Sequence, residues 1–127
     1  SQAYLSSHAK PDNVDDLKQH RRIGYVEDLL YTASLNYTDE IMRNWDASFE
    51  VSSAVGQTEA VRSGAGIGIL HNYIARQDIT LVRLLPQITI QRTYWTTWHE
   101  SARDLLRVKT VIDWLQNQVR LERAMFH

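Results

Sequence analysis

Ser52, Ser53, Gln57 and Thr58 combine residue types and spacing in a way that suits recognition of a small anion. They open a segment carrying Val55, Ala60 and Val61 that reads as a helix stopping at Ser63-Gly64. A helix N-terminus presents backbone N–H groups without intrahelical partners and the positive end of a dipole. A carboxylate can therefore be held there while hydroxyls and amides fix its orientation. Tyr25, closing the short strand Ile23-Gly24-Tyr25-Val26, could line the same cleft together with Glu27 and Asp28, and Arg62 or Arg92 could pair with an acidic ligand. Plainer roles suit the same residues: a serine that only caps the helix, a solvated glutamine, a packed tyrosine, arginines that are surface charge. Ser52, Ser53, Gln57, Thr58 and Tyr25 are the expected ligand contacts.

Other chemistries find little support. His99-Glu100-Ser101-Ala102-Arg103 lacks the second histidine of a helical zinc pair, and His8, His20, His71 and His127 have no ligand spacing, so no metal site is expected. Gly64, Gly66 and Gly68 follow a helix instead of joining a strand to the helix it feeds, which excludes a dinucleotide fingerprint or a phosphate loop and leaves a tight turn with close packing. No serine stands in a nucleophile elbow, and no catalytic residue or cofactor is expected. Tyr94, Trp95 and Trp98 alternate along an apolar run without a basic stripe, so they read as core or interface before they read as a base-stacking platform.

The elements that must position the candidate site come from one small α/β domain. The chain has 127 residues, 43% hydrophobic, with 14 Lys+Arg against 15 Asp+Glu, so it has enough apolar mass for one core and no positive field to draw it to nucleic acid. With no cysteine, the core rests on packing alone, as suits a reducing cytoplasm. No apolar run approaches the roughly 20 residues that span a bilayer, and the first residues do not form a secretory leader. Pro11-Asp12-Asn13 breaks a first turn at Tyr4-Leu5, and Asp12 or Asn13 then caps a short helix through Asp15, Asp16, Leu17 and His20 that ends near His20. Residues 27–38 read as a packed loop, Thr38 with Ile41 and Met42 as a helical turn, and Ser48 to Ser52 as a half-buried alternating strand. The glycine turn then feeds a buried strand at Ile67-Leu70, making a strand–helix–strand unit that favours a parallel crossover with ligands at the strands' carboxyl ends. Asn72 to Arg76 is a helical turn, Leu81 to Leu85 and Ile88 to Trp98 are strands, and Arg103 to Arg123 is the clearest helix. That helix carries a stripe of Leu105, Val108, Ile112, Leu115 and Val119.

In this order the pieces resemble the effector-binding domain of LysR-type transcriptional regulators. Tyr4-Leu5, Pro11, Asp16-Leu17, His20 and Ile23-Gly24-Tyr25 are similar to the run that opens that domain's second lobe. Ser52-Ser53, Gln57 and the run from Ala60 to Leu70 resemble its helix and glycine turn, with His71 where a proline is usual. Leu81 to Pro86 resembles its next strand, and Trp95 to Leu115 its closing strand and helix.

The resemblance implies one lobe of a periplasmic-binding-protein-like type 2 fold, residues 1–98, plus the C-terminal helix of the other lobe, residues 99–127, with the first lobe and the DNA-binding domain outside this chain. It implies a cytoplasmic sensor without catalysis, binding a small carboxylate-bearing effector between lobes and shifting the DNA-binding state of a homo-oligomer. DNA would be touched only through the domain outside this chain, and no membrane is involved. With its usual lobe absent, the Leu105–Val119 stripe would dock on another surface or exchange between protomers. A solute-binding protein of the same fold, or a free-standing small α/β enzyme or interaction domain, are the alternatives.

Overall fold

Three parallel strands carry the fold: β1 (Arg22–Tyr25) in the centre, flanked by β2 (Ala47–Val51) and β3 (Ile67–Gly68). A computed structural model of the chain describes residues 1–29 and 37–126. Parallel neighbours cannot be joined by a hairpin, and α3 (Ala54–Arg62) makes the crossing from β2 over β1 to β3. This is the strand–helix–strand unit expected from the sequence, with β1 inserted between its two strands. Ile23 lies opposite Gly68, and Arg22 opposite both Ala47 and Ile67. Paired residues share a face, so Ile23 and Gly68 look toward α3 while Arg22 and Ile67 look the other way.

Each face has its own filling. Ile23, 1% exposed, and Val61 are buried between sheet and helix. On the opposite face Leu17, Met42, Trp45 and Leu85 form the apolar cluster against which Ile67 packs. Arg22 lies in the same layer, its guanidinium 5.9 Å from the Trp45 ring centroid and donating to Thr38 Oγ1 at 3.1 Å. Leu17 reaches this cluster from a 3₁₀ turn, Asp15–Gln19, whose entry is fixed by reciprocal side-chain bonds. Asn13 Oδ1 accepts the Asp16 N–H at 3.1 Å, and Asp16 Oδ2 accepts the Asp12 and Asn13 N–H groups at 2.9 and 3.2 Å.

The ends of α3 follow their sequence signals. Ser53 takes an extended conformation and its Oγ accepts the Gly56 N–H at 3.1 Å. At the other end Gly64 turns the chain with φ +85°, its N–H donating to the Val61 carbonyl while the Ala65 N–H donates to that of Ala60. That pair of bonds is a Schellman motif, which favours a residue without Cβ at its left-handed position. Short helices α1 (Gln2–Leu5), α2 (Thr38–Ile41) and α4 (Asn72–Ala75) stand where the sequence indicated turns or helical turns.

Three expectations need correction. Leu81–Leu85 is not a strand, because no strand among the described residues pairs with it and Leu85 turns the chain at φ +46°, with the Ile88 N–H closing on its carbonyl. The Ile88–Trp98 run likewise joins no ladder among the described residues, and of the two roles expected for Tyr94, Trp95 and Trp98, core or interface, their exposure overturns core. Phe49 is exposed too, since β2 is an edge strand whose burial does not alternate. Of the expected 27–38 loop, Glu27–Leu29 is a 3₁₀ turn and residues 30–36 lie outside the described residues.

Two compact units divide the chain at Ile90/Gln91. The second contains α5 (Leu106–Leu121) and α6 (Arg123–Phe126), preceded by a 3₁₀ turn at Glu100–Ala102 in which His99 Nδ1 accepts the Ser101 N–H. Helix α5 therefore begins three residues later than its apolar period suggested, and Leu115 and Val119 of its stripe are exposed while Val108 and Ile112 are half-buried.

A pH dependence follows from two histidines in the first unit. Tyr4 Oη lies 3.2 Å from His20 Nδ1 and accepts the Arg21 N–H at 3.2 Å, which ties α1 to the start of β1. Burial, and then the nearby His8, hold the His20 pKa below its ordinary 6.5, against a smaller opposing pull from Asp16; burial alone lowers that of His71. A histidine whose folded pKa is depressed binds its proton more readily in the unfolded chain. Stability should therefore be fully present above about pH 6.5 and fall as pH drops through the folded pKa values. Urea midpoints measured from pH 7.5 to 5 should decline on the acid side, and the double replacement His20→Gln/His71→Gln should flatten that decline; a slope identical in both chains would refute the assignment.

Candidate functional site

The carboxyl edge of the sheet is where the candidate residues gather. Tyr25 and Val51 are register partners at the ends of β1 and β2, and the Val26 N–H donates to the Val51 carbonyl at 3.1 Å. Directly after Val51 come Ser52 and Ser53, both exposed, and then the first turn of α3. Tyr25 is half-buried and shares the α3-facing side of β1 with Ile23.

The first turn of α3 has four N–H groups to satisfy. The Ser53 Oγ takes that of Gly56, while the Gln57 N–H makes the first intrahelical bond, to the Ser53 carbonyl. The N–H groups of Ala54 and Val55 have no acceptor among the described residues. These two donors, the exposed serine hydroxyls and the positive end of the helix dipole make a small electropositive edge although the chain has no net positive charge.

Gln57 and Thr58 are placed elsewhere. Both are buried, at 3% and 4% exposure. Gln57 Nε2 donates to the Ile23 carbonyl at 3.0 Å, and Thr58 Oγ1 donates back to the Ala54 carbonyl at 2.8 Å. The signal for this was readable: with Ser53 as the cap, Gln57 and Thr58 fall one turn into the helix, at spacings of four and three from buried Val61. The two first-turn donors were the part that side-chain types could not reveal, since Ala54 and Val55 contribute only backbone.

The remaining candidates separate from this edge. Arg62, at the far end of α3, is paired with Glu59 and with Asp78, which makes it a structural ion pair. The Thr80 hydroxyl, the Arg62 guanidinium and the Thr80 N–H together pull the Asp78 carboxyl down to about 2. A shallow groove there is lined by Arg62, Tyr73, Ile74, Gln77, Asp78 and Ile79, but its two charges neutralise each other. Arg92 belongs to the second unit, where its guanidinium donates to the Gln91 carbonyl. Asp28 is exposed in the 3₁₀ turn after β1. Among the described residues no group of three or more His, Asp or Glu side chains is arranged to hold a metal ion.

A family model described as the LysR substrate binding domain matches residues 1–120. The chain belongs to that family. LysR substrate-binding domains have a periplasmic-binding-protein-like fold, and the small parallel sheet with its covering helix is part of one such lobe. Domains of this family are the regulatory ligand-binding domains of LysR-type transcription regulators, and membership implies effector binding within such a regulator. No curated protein and no solved structure matches the chain. No helix among the described residues is long and apolar enough to cross a membrane.

Proposed function

We propose that the chain senses a small carboxylate-bearing metabolite at the N-terminal end of α3 and thereby shifts the DNA-binding state of an oligomeric LysR-type regulator. The two unaccepted N–H groups of Ala54 and Val55, at the carboxyl edge of a parallel sheet, support this reading most directly. Ser52 and Ser53 supply hydroxyls to orient the ligand and Tyr25 supplies a wall. Gln57 and Thr58 act from behind, by holding the helix that presents the donors. In this reading the first lobe, which faces the ligand from the other side of the cleft, and the contact with DNA are supplied by other parts of the regulator. The ligand's differential affinity for two arrangements of the regulator is what changes DNA binding.

Ser53→Asp separates this reading from simple helix damage. Aspartate caps a helix as well as serine does, so the helix survives, but its charge stands where the ligand's carboxylate would sit. In the full-length regulator, screened against mono- and dicarboxylic acids and their primary amides, acids should bind and amides should not. Ser53→Asp should weaken the acid by about tenfold or more, an effect equal to about 1.4 kcal/mol, while DNA binding without ligand stays unchanged. Amides that bind as tightly as acids, or an acid affinity indifferent to Ser53→Asp, would remove the anion from the proposal.

A further inference from the structure

We propose that Tyr4 and His20 form a proton-operated clasp: a neutral His20 imidazole holds α1 on the entry to β1, and a proton on its Nδ1 lets α1 go. Among the described residues the Tyr4 hydroxyl has two partners, His20 Nδ1 and the Arg21 N–H, each at 3.2 Å. The Arg21 amide can only donate, so the hydroxyl accepts from it and gives its own hydrogen to His20. That fixes the neutral ring with its lone pair on Nδ1 and its hydrogen on Nε2. A second hydrogen, on Nδ1, turns the acceptor into a donor. Two N–H groups then address one oxygen, and the phenol hydrogen is left without an acceptor. At 3% exposure Tyr4 has little access to water, so an unbonded hydroxyl there is costly.

The surroundings of His20 favour the neutral ring. Tyr4 and His8 face it from the N-terminal segment, with ring centroids 5.8 and 6.3 Å away, and Asp16 faces it from the 3₁₀ turn. His8 lies flat on the Tyr4 ring, centroids 4.0 Å apart and planes 9° from parallel, so protons on both histidines set two positive rings around one phenol. Burial and then His8 disfavour the proton on His20 while these contacts last, and the smaller pull of Asp16 does not reverse this. What the clasp holds is a junction. The Gln2 N–H donates to the Thr80 carbonyl at 2.9 Å and Gln2 Nε2 to that of Ile79 at 3.2 Å, while a Cβ on Gly64 would meet Ala3 Cβ at 3.5 Å. Helix α1 thus joins the entry of β1, the turn that ends α3 and the segment after α4. Acid frees it locally, with the β1–β2 pairing still in place, which goes beyond an overall loss of stability. The clasp does not depend on which ligand the other end of α3 binds.

Nitrogen NMR and amide hydrogen exchange on the isotope-labelled chain test it. At about pH 7.5 the His20 ring should carry its hydrogen on Nε2 and the Arg21 amide should be protected. At about pH 5.5 the Arg21 protection factor should be lower by about fivefold or more, while that of Val26, whose N–H donates to the Val51 carbonyl at 3.1 Å, stays within about twofold. His20→Gln leaves a side-chain oxygen that can accept the phenol hydrogen but takes up no proton, so Arg21 should be equally protected at both pH values. Tyr4→Phe keeps a ring against His8 and removes the hydroxyl, so Arg21 should be unprotected at both. A neutral His20 with its hydrogen on Nδ1, a native Arg21 protection that does not change with pH, or Arg21 and Val26 falling together would each overturn the clasp. So would a pH response that persists in His20→Gln, or a protected Arg21 in Tyr4→Phe. Should either variant fail to fold, the tautomer and the two exchange measurements on the native chain still decide the question.

Discussion

Replacing Leu85 by glycine is expected to cost no more stability than replacing it by alanine, reversing the usual order of the two substitutions. Leu85 is 6% exposed and belongs to the cluster of Leu17, Met42 and Trp45, so truncation to alanine should lose about 2–5 kcal/mol of packing. Its backbone, however, stands at φ +46°, in the left-handed region where a Cβ costs roughly 1–2 kcal/mol. Leu85→Ala loses the packing and keeps the strain. Leu85→Gly loses slightly more packing but is released from the strain, which offsets the extra backbone entropy of glycine, about 0.5–1 kcal/mol. Denaturant unfolding of the two variants should give Leu85→Gly a stability equal to or above Leu85→Ala. A glycine variant weaker by about 1 kcal/mol, as in ordinary extended or helical backbone, would show that the left-handed turn at Leu85 carries no strain.

The same residue shows what the sequence could not convey. Leu81 to Leu85 has the composition of a strand, and that composition predicts one. A strand is a relation between two chain segments, though, and its partner is written nowhere in the five residues themselves. Where local signals decide the outcome, the sequence was legible: Asn13 and Asp16 fixing the turn at Leu17, Ser53 capping α3, Gly64 ending it, and the apolar period of α5. The candidate site divides along the same line. Ser52, Ser53 and Tyr25 were placed by their neighbours in sequence and stand at the expected edge. The polarity of Gln57 predicts a ligand contact, whereas its position is set by a contact 34 residues away on β1. A polar side chain in the middle of a buried helix face is as much an internal tether as a ligand contact, and only the packing of α3 on β1 decides which.

That packing is close enough to be tested by adding a single carbon. A Cβ at Gly68 would stand 2.6 Å from Val61 Cγ2, far inside van der Waals contact. Valine in a helix has one strongly preferred rotamer, so Cγ2 cannot swing aside; either α3 lifts from the sheet or β3 is pushed from β1. Gly68→Ala should therefore destabilise the domain by about 1–3 kcal/mol through overpacking. Val61→Ala alone should also cost stability, because Val61 is 5% exposed and its removal leaves a cavity between helix and strand. The double variant should be more stable than the sum of the two losses predicts, since the methyl added at Gly68 fills part of the space vacated at Val61. A favourable coupling of at least about 1 kcal/mol in the double-mutant cycle is expected, measured by urea unfolding. Simple additivity would mean that α3 does not lie against β3 at this distance.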